Sequence, residues 1–128
     1  MYKEIIITII IVVLVVVGDI LTQNYTEACV EEMNNNLESL KESVINNSDY
    51  KEVLSNISSI ENKWNEMKEK LVYYLEHDEL EKVNTQLTEI RGYSEADEIK
   101  ESISKIENCK FLLNHIKDKE AFNFKNLF

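Results

Sequence analysis

The chain has 128 residues, which is enough for one domain of ordinary size. Its formal net charge is −10, from 14 basic and 24 acidic residues. A surface of that sign repels phosphate backbones, so nucleic-acid binding is excluded as a function class. Proline is absent and glycine occurs only at Gly18 and Gly92, so almost nothing interrupts helices and the glycine turns of an all-β chain are missing. The composition therefore predicts an all-α protein.

An apolar run opens the chain, and from Ile5 to Val17 every residue but one is Ile, Val or Leu. The longer range Tyr2–Leu21 forms a helix of about 30 Å, which matches the hydrocarbon layer of a bilayer. The run is apolar on every face, unlike an amphipathic surface helix. It predicts a transmembrane anchor over residues 1–21. Cleavage after Gly18 is the alternative, because Val16 and Gly18 are small enough for the positions that a signal peptidase reads.

The charges beside this run predict its orientation. Lys3 precedes the run, whereas Asp19 and Glu27 follow it and no lysine occurs again until Lys41. Basic residues stay on the cytoplasmic side of a membrane. We therefore expect a single-pass protein of the cell membrane with a cytoplasmic N-terminus and an extracytoplasmic domain over residues 22–128.

Behind the anchor, apolar residues recur at alternating spacings of three and four, which is typical of one face of a helix. This pattern predicts a helix that continues from the membrane to about Ile45. The triplet Asn34–Asn36 is poor helix material, but the pattern keeps its register through it. Asn46 and Asn47 are predicted to form a turn. The predicted core stripe consists of Val30, Met33, Leu37, Leu40 and Val44.

A second helix is predicted after this turn, with Ser48 as its N-cap and negative charge from Asp49 and Glu52 in its first turn. Its apolar positions follow a heptad-like pattern for more than three heptads. They are Tyr50, Val53, Ile57, Ile60, Trp64, Met67, Leu71 and Tyr74.

Two further helices are predicted after Leu75. Asp78 and Glu81 have the spacing of a capping box for the third helix, and Gly92 with Ser94 is predicted to end it and to cap the fourth. The third stripe is Leu80, Val83, Leu87 and Ile90. The fourth stripe is Ala96, Ile99, Ile103, Ile106, Cys109, Leu113 and Ile116.

Short turns between helices of this spacing favour antiparallel neighbours with shallow crossing angles. The predicted fold is therefore all-α, with an N-terminal transmembrane helix that continues into an antiparallel up-down helical bundle with coiled-coil-like heptad spacing. A parallel coiled-coil oligomer built on the Tyr50–Tyr74 helix is the alternative, and a homo-oligomer is possible in either case.

His77 lies among acidic residues, which is the one place where the sequence suggests a metal site or an acid and base pair. Carboxylate-bridged metal sites in bundles use Glu-x-x-His pairs, and neither His77 nor His115 has Glu three residues before it. Zinc-protease, nucleophile-elbow and phosphate-loop motifs do not occur. We therefore expect no catalytic residue, no metal and no cofactor, and a structural role for His77.

Trp64 and Tyr74 lie on the predicted core stripe, and Tyr73 lies off it. The tail from Phe122 to Phe128 holds three Phe and a Leu. We expect it to fold back as a lid over the membrane-proximal end of the core, with an exposed docking peptide as the alternative.

Two cysteines, Cys29 and Cys109, are too few for a disulfide scaffold. A bridge between them is possible outside the cytoplasm, but buried free cysteine is the more common role.

Trp64, Tyr74, His77 and Glu79, in this order behind an N-terminal anchor, precede a chain end of Asn126, Leu127 and Phe128. This arrangement resembles the domain of unknown function 4363 family, small membrane-anchored helical proteins of Gram-positive spore formers. The resemblance covers nearly the whole chain. It implies the anchored architecture, marks these residues as a possible interaction or structural motif, and implies no activity, substrate or cofactor.

Three functions are compatible with these features. We expect a protein-interaction or scaffold module at the cell envelope, with a protein partner in the membrane or envelope and without enzymatic activity. A secreted soluble domain released by cleavage after Gly18 is the first alternative. A metal-binding or enzymatic domain centred on His77 is the second.

Overall fold

The computed structural model describes the backbone of residues 1–127 and the side chains of these residues except Phe124 and Leu127. Within this range the chain forms four α-helices and a 3-10 turn at Ile99–Glu101, and no strand. The helices are α1 (Tyr2–Ile45), α2 (Tyr50–Leu71), α3 (His77–Glu95) and α4 (Ser102–Leu127). The all-α prediction is confirmed.

The helices form an antiparallel up-down bundle, as predicted. Along the chain each helix packs against the next, and α4 returns to pack against α1, so that every helix has two neighbours. Lys110 on α4 pairs with Glu38 on α1, and Asn114 hydrogen-bonds to Asn34, so α1 and α4 run in opposite directions. We call the end of the bundle next to Leu21 the base, and the opposite end the tip.

The core consists mainly of the predicted stripes, because their spacing places them on the inward face of each helix. All five predicted positions of α1 are buried, and on α2 Trp64 is 1% exposed. Tyr50 is an exception, since it lies at the start of α2 and is 44% exposed. The α2 stripe from Val53 to Leu71 is buried inside one chain, so it is not available for the parallel coiled-coil alternative.

The α1 helix is continuous, as predicted, and its two parts differ in surroundings. Side chains from Ile5 to Val15 are exposed, whereas the stripe from Cys29 to Val44 is buried against α2 and α4. The asparagine triplet stays helical because packing against α4 outweighs its weak propensity, and Asn34 donates a hydrogen bond to Asn114 at 2.9 Å. Among the described residues, α1 is the one helix long and apolar enough to cross a membrane.

The predicted helix starts are wrong by one or two residues. Asp49, not Ser48, is the N-cap of α2, and Glu76, not Asp78, is the N-cap of α3. Neither cap makes a side-chain hydrogen bond, so the predicted capping box does not form. The turn at Asn46 and Asn47 is confirmed, with Asn47 in the left-handed region at φ 54°.

The prediction that Gly92 and Ser94 separate the last two helices is also wrong. Gly92 lies inside α3, where a Cβ atom would meet nothing within 4 Å. Ser94 is buried and its hydroxyl donates to the Ile90 carbonyl at 2.8 Å instead of capping α4. The chain turns later, at Asp97 with φ 59°, and Ala96 is exposed rather than in the core.

The lid prediction fails for the part of the tail that the structure describes. The α4 helix continues to Leu127, and Phe122 is 62% exposed. A continuous helix cannot fold its last turns back over the core that it flanks. The side chains of Phe124 and Leu127, and all of Phe128, lie outside the described residues.

Candidate functional site

Trp64, the first of the predicted motif residues, is a core residue in the middle of α2. Its indole N–H donates a hydrogen bond to Asn84 Oδ1 on α3, and the Asn84 amide donates in turn to Glu81 Oε1 at 3.1 Å. This chain satisfies the buried indole donor and joins α2 to α3. Asn84 was not predicted from the sequence, where it is one polar residue among many on α3.

Tyr74 connects the turn between α2 and α3 to α1 by hydrogen bonds at the base of the bundle. Its hydroxyl lies 2.8 Å from Thr26 Oγ1 and 3.2 Å from the Thr22 carbonyl oxygen. Thr26 is 1% exposed, and its hydroxyl also lies 2.8 Å from the Thr22 carbonyl oxygen, so that the two hydroxyl hydrogens of Thr26 and Tyr74 are shared among three short contacts. Burial raises the pKa of Tyr74 above its ordinary value. The hydrogen-bonded cluster of these three residues is called the tyrosine clamp below.

Glu79 lies beside the tyrosine clamp and joins α3 to α4. Its side chain is only 11% exposed, and Lys119 Nζ lies 3.1 Å from Oε1. Lys119 also contacts Glu76 at 2.9 Å, and His115 Nε2 lies 3.9 Å from Glu79. The hydrogen bonds that Lys119 donates to both carboxylates raise its pKa. Glu79 is thus a half-buried carboxylate neutralised by a lysine, which is a structural arrangement.

Glu120 is the second half-buried carboxylate of the base. Burial is the main cause that raises its pKa, and the negative charges of Asp19 and Glu79 add to the effect. Tyr74, Glu79 and Glu120 line a small cleft of about 60 Å³. The cleft brings three polar groups together, but it is too small for more than water-sized guests.

His77 is separate from this cleft. Its side chain is 74% exposed, and its contact in the described part of the chain is Glu81, at 3.8 Å one turn along the same helix. Within residues 1–127 no three His, Cys, Asp or Glu side chains are grouped so that they could hold a metal ion. Tyr74 and Glu79 therefore lie together in the cleft at the base, His77 lies at the same end of the bundle but outside the cleft, and Trp64 lies in the middle of α2.

The outward side of α4 carries two exposed phenylalanines. Phe111 is 71% exposed and Phe122 is 62% exposed. They are three helical turns apart and share one face of the helix. Exposed residues at heptad spacing connect them, and Asp118 is the one acidic member of the set. We call this set the α4 outer face: Ser104, Asn108, Phe111, His115, Asp118 and Phe122.

Cys29 and Cys109 are both buried and both free in the described chain. The pairing of Asn34 with Asn114 and of Glu38 with Lys110 places Cys109 level with about residue 39 of α1. That level is roughly 15 Å along the helix axis from Cys29, well beyond the reach of a disulfide. Burial raises the pKa of both thiols, that of Cys109 to about 12.

Asn126 and Leu127, from the end of the proposed motif, lie in the last turn of α4, where Asn126 is exposed. Phe128 is not described. The register between α1 and α4 places this last turn level with about Leu21, where the apolar segment of α1 ends. Asn126 and Tyr74 therefore lie at the same end of the bundle.

The family model for the domain of unknown function 4363 (DUF4363) matches residues 20–127. The match covers most of the chain, so the chain belongs to this family, and the predicted resemblance is confirmed. The matched range begins where the exposed apolar part of α1 ends and includes all of α2, α3 and α4. Neither the curated proteins nor the solved structures contain a match to the chain.

Proposed function

We propose that this member of the DUF4363 family is a membrane-anchored interaction module. Residues 2–21 hold it in the cell membrane, and the bundle lies outside the cytoplasm, where it binds a protein of the membrane or envelope. One observation carries the proposal. The same helix, α1, has an exposed apolar half and a half that forms one wall of the bundle. A partner would therefore meet a domain held at a fixed height and angle.

The exposed apolar half of α1 needs a nonpolar environment. Large Ile, Val and Leu side chains from Ile5 to Leu14 are each more than half exposed in the isolated chain. A continuous apolar surface of this size is not stable in water, and a bilayer covers it. Lys3 before this segment and Asp19 after it support an orientation with the N-terminus inside.

The α4 outer face supports the second half of the proposal. Interface cores are rich in aromatic residues and poor in charge. The upper part of this face, from Ser104 to His115, presents Phe111 on a domain that is otherwise acidic, and the nearby carboxylate of Glu107, one turn before Phe111, is paired with Lys41 at 2.9 Å. We expect a protein partner with an uncharged apolar pocket to take up Phe111. A basic partner would find little to bind there.

Membrane fractionation with protease protection tests the anchor. We expect the full chain to stay in the membrane after an alkaline carbonate wash, and protease added outside intact protoplasts to digest it beyond about Thr22. A mature protein that begins at Asp19 in the medium would instead establish the released soluble domain.

Site-directed photocrosslinking tests the partner surface in the cells that make the protein. A benzophenone side chain at Asn108 should yield one discrete adduct, and Phe111→Ala should abolish it without lowering the melting temperature, because Phe111 is 71% exposed. The same photoreactive group at exposed Lys51, on α2, is the matched control and should yield no such adduct. An adduct at Asn108 that survives Phe111→Ala would contradict the assigned surface.

The proposal gives His77 no catalytic or metal-binding role. With a highly exposed side chain and one long contact to Glu81, His77 lacks the burial and the partners of a tuned catalytic group. Added Zn²⁺ or Mn²⁺ should therefore leave the thermal unfolding of the chain unchanged, whereas a site would raise the midpoint with metal concentration.

A further inference from the structure

We propose that the base of the bundle rests on the bilayer surface, with Val72, Tyr73 and Phe122 in the headgroup layer beside the point where α1 leaves the membrane. This inference rests on the proposed membrane anchor and adds a second membrane contact to it. The occupant is the lipid headgroup layer itself, because the surface is continuous with the anchor. We call the three residues the base contact.

The height of the α2–α3 turn follows from the tyrosine clamp. Tyr74 binds Thr22 and Thr26, so Val72 and Tyr73 lie level with the first turn of α1 after the apolar segment, which ends at Leu21. At 1.5 Å per residue this level is about 2 to 8 Å above the hydrocarbon edge. The headgroup layer extends roughly 5 to 8 Å from that edge, so the turn falls within it.

The height of Phe122 follows from the register between α1 and α4. The Asn34–Asn114 and Glu38–Lys110 contacts place Phe122 level with about residue 26. That level is about 7 to 8 Å above Leu21, at the outer edge of the same layer. The helix then continues to Leu127, toward the membrane. Two separate connections of the chain thus arrive at one plane.

The chemistry of the base contact suits this layer. Tyr73 is 87% exposed, Val72 49% and Phe122 62%. Aromatic side chains with an apolar body collect at membrane interfaces, where the ring is partly dehydrated and the tyrosine hydroxyl stays wet. The core of the bundle does not need these residues. Their exposure is explained if lipid covers them.

The charges of the base limit the depth of the contact. This end of the bundle holds the carboxylates of Asp19, Glu76, Asp78, Glu79 and Glu120 and the ammonium groups of Lys70, Lys119 and Lys125. Their excess of negative charge opposes deep insertion and repels anionic headgroups. We therefore expect a shallow contact, and one that is stronger on zwitterionic lipid.

Nitroxide labels on the full chain in phosphatidylcholine vesicles test the inference. Single variants Tyr73→Cys and Phe122→Cys carry the label, and Cys29 and Cys109 are buried and react little. Collisions with oxygen report lipid and collisions with a nickel chelate report water. Phe111→Cys is the matched control, because Phe111 shares the face of Phe122 three turns higher and at a similar exposure. Leu14→Cys marks the anchor.

We expect the label at position 14 to report lipid, the label at 111 to report water, and those at 73 and 122 to lose most of their nickel accessibility relative to 111. In the double variant Tyr73→Ser and Phe122→Ser, a label at His77→Cys should become as accessible to nickel as the label at 111. The double variant should keep the melting temperature of the parent, since both side chains are exposed.

Two results would overturn the inference and leave the proposed anchor intact. If the labels at 73 and 122 were as accessible to nickel as the label at 111 while the label at 14 reported lipid, the bundle would not contact the membrane surface. Protection in cell membranes but not in pure lipid vesicles would mean that a membrane protein covers the base. A water-exposed label at position 14 would refute the anchor itself, and the base contact with it.

Discussion

Tyr74 and Tyr73 are adjacent residues in opposite environments, and they offer a matched test of the tyrosine clamp. Tyr74→Phe removes one hydroxyl that binds Thr26 and Thr22 and leaves the ring in place. Tyr73→Phe removes the same hydroxyl from a side chain that is 87% exposed. The two variants differ only in whether the lost hydroxyl was hydrogen-bonded within the bundle.

The expected cost for Tyr74→Phe is about 1 kcal/mol in the free energy of unfolding, because a buried neutral hydrogen bond contributes about 0.5 to 1.5 kcal/mol. The Thr26 hydroxyl keeps its own bond to the Thr22 carbonyl, so no buried donor is left unpaired. A loss of this size lowers the melting temperature by about 4 to 8 °C in a domain of this length. Tyr73→Phe should stay within about 0.5 kcal/mol of the parent.

Urea unfolding of the full chain in detergent, followed by tryptophan emission, measures both variants. Trp64 is the sole tryptophan and is 1% exposed, so its emission reports the bundle and is insensitive to the exposed apolar part of α1. Equal midpoints for Tyr74→Phe and Tyr73→Phe would refute the clamp. A double-mutant cycle with Thr26→Val should in addition show that the two losses are not additive, since both variants remove the same bond.

Three further predictions concern pH, thiols and the core. Burial raises the pKa of Tyr25 to about 12 in the folded chain, so its contribution to stability is complete below pH about 10 and is lost as pH rises toward 12. The urea midpoint should therefore fall less steeply over this pH range in Tyr25→Phe than in the parent. The same slope in both proteins would contradict this prediction. Cys29 and Cys109 should take up no iodoacetamide at pH 8 by mass spectrometry unless urea is added, and rapid native labelling would mean that they are accessible. Leu71→Asp should abolish the cooperative unfolding transition by placing a charge in the core. Lys70→Asp should lower the free energy of unfolding by only about 0.5 to 1 kcal/mol, from the lost contact with the Tyr25 ring. Similar melting curves for the two variants would refute the assignment of the α2 stripe to the core.

The sequence was sufficient to predict the helices and their inward faces, because spacings of three and four translate directly into one side of a helix. It was insufficient for the turns. Asn47 and Asp97 both adopt left-handed conformations that glycine usually provides, and Gly92 lies on an exposed side of α3 where it ends nothing. Turn position here depends on how far each helix must run to complete its packing, which local residue type does not encode.

The base of the bundle was only half predictable, for the same reason. Tyr74 and Glu79 were named from the sequence, but their partners Thr22, Thr26 and Lys119 come from other helices. Which residues meet across a bundle depends on the lengths of the turns and on the register of the helices. If α4 were shifted by one turn along its axis, its hydrophobic pattern would still face the core, but a residue other than Lys119 would lie beside Glu79.

The distribution of cations explains both the register and the surface that remains. Each of the four contacts between neighbouring helices has an ion pair: Lys63–Glu32, Arg91–Glu61, Lys105–Glu89 and Lys110–Glu38. Partly exposed pairs contribute little stability, about 0 to 1 kcal/mol each, so the core determines the stability. These ion pairs contribute more to selecting the register of the helices, because a shifted register would bring carboxylates together in an acidic domain. With these cations held between helices, the outward surface keeps the negative excess, and near Phe111 the one adjacent carboxylate, Glu107, is paired with Lys41, which supports Phe111 as the contact point of the proposed partner.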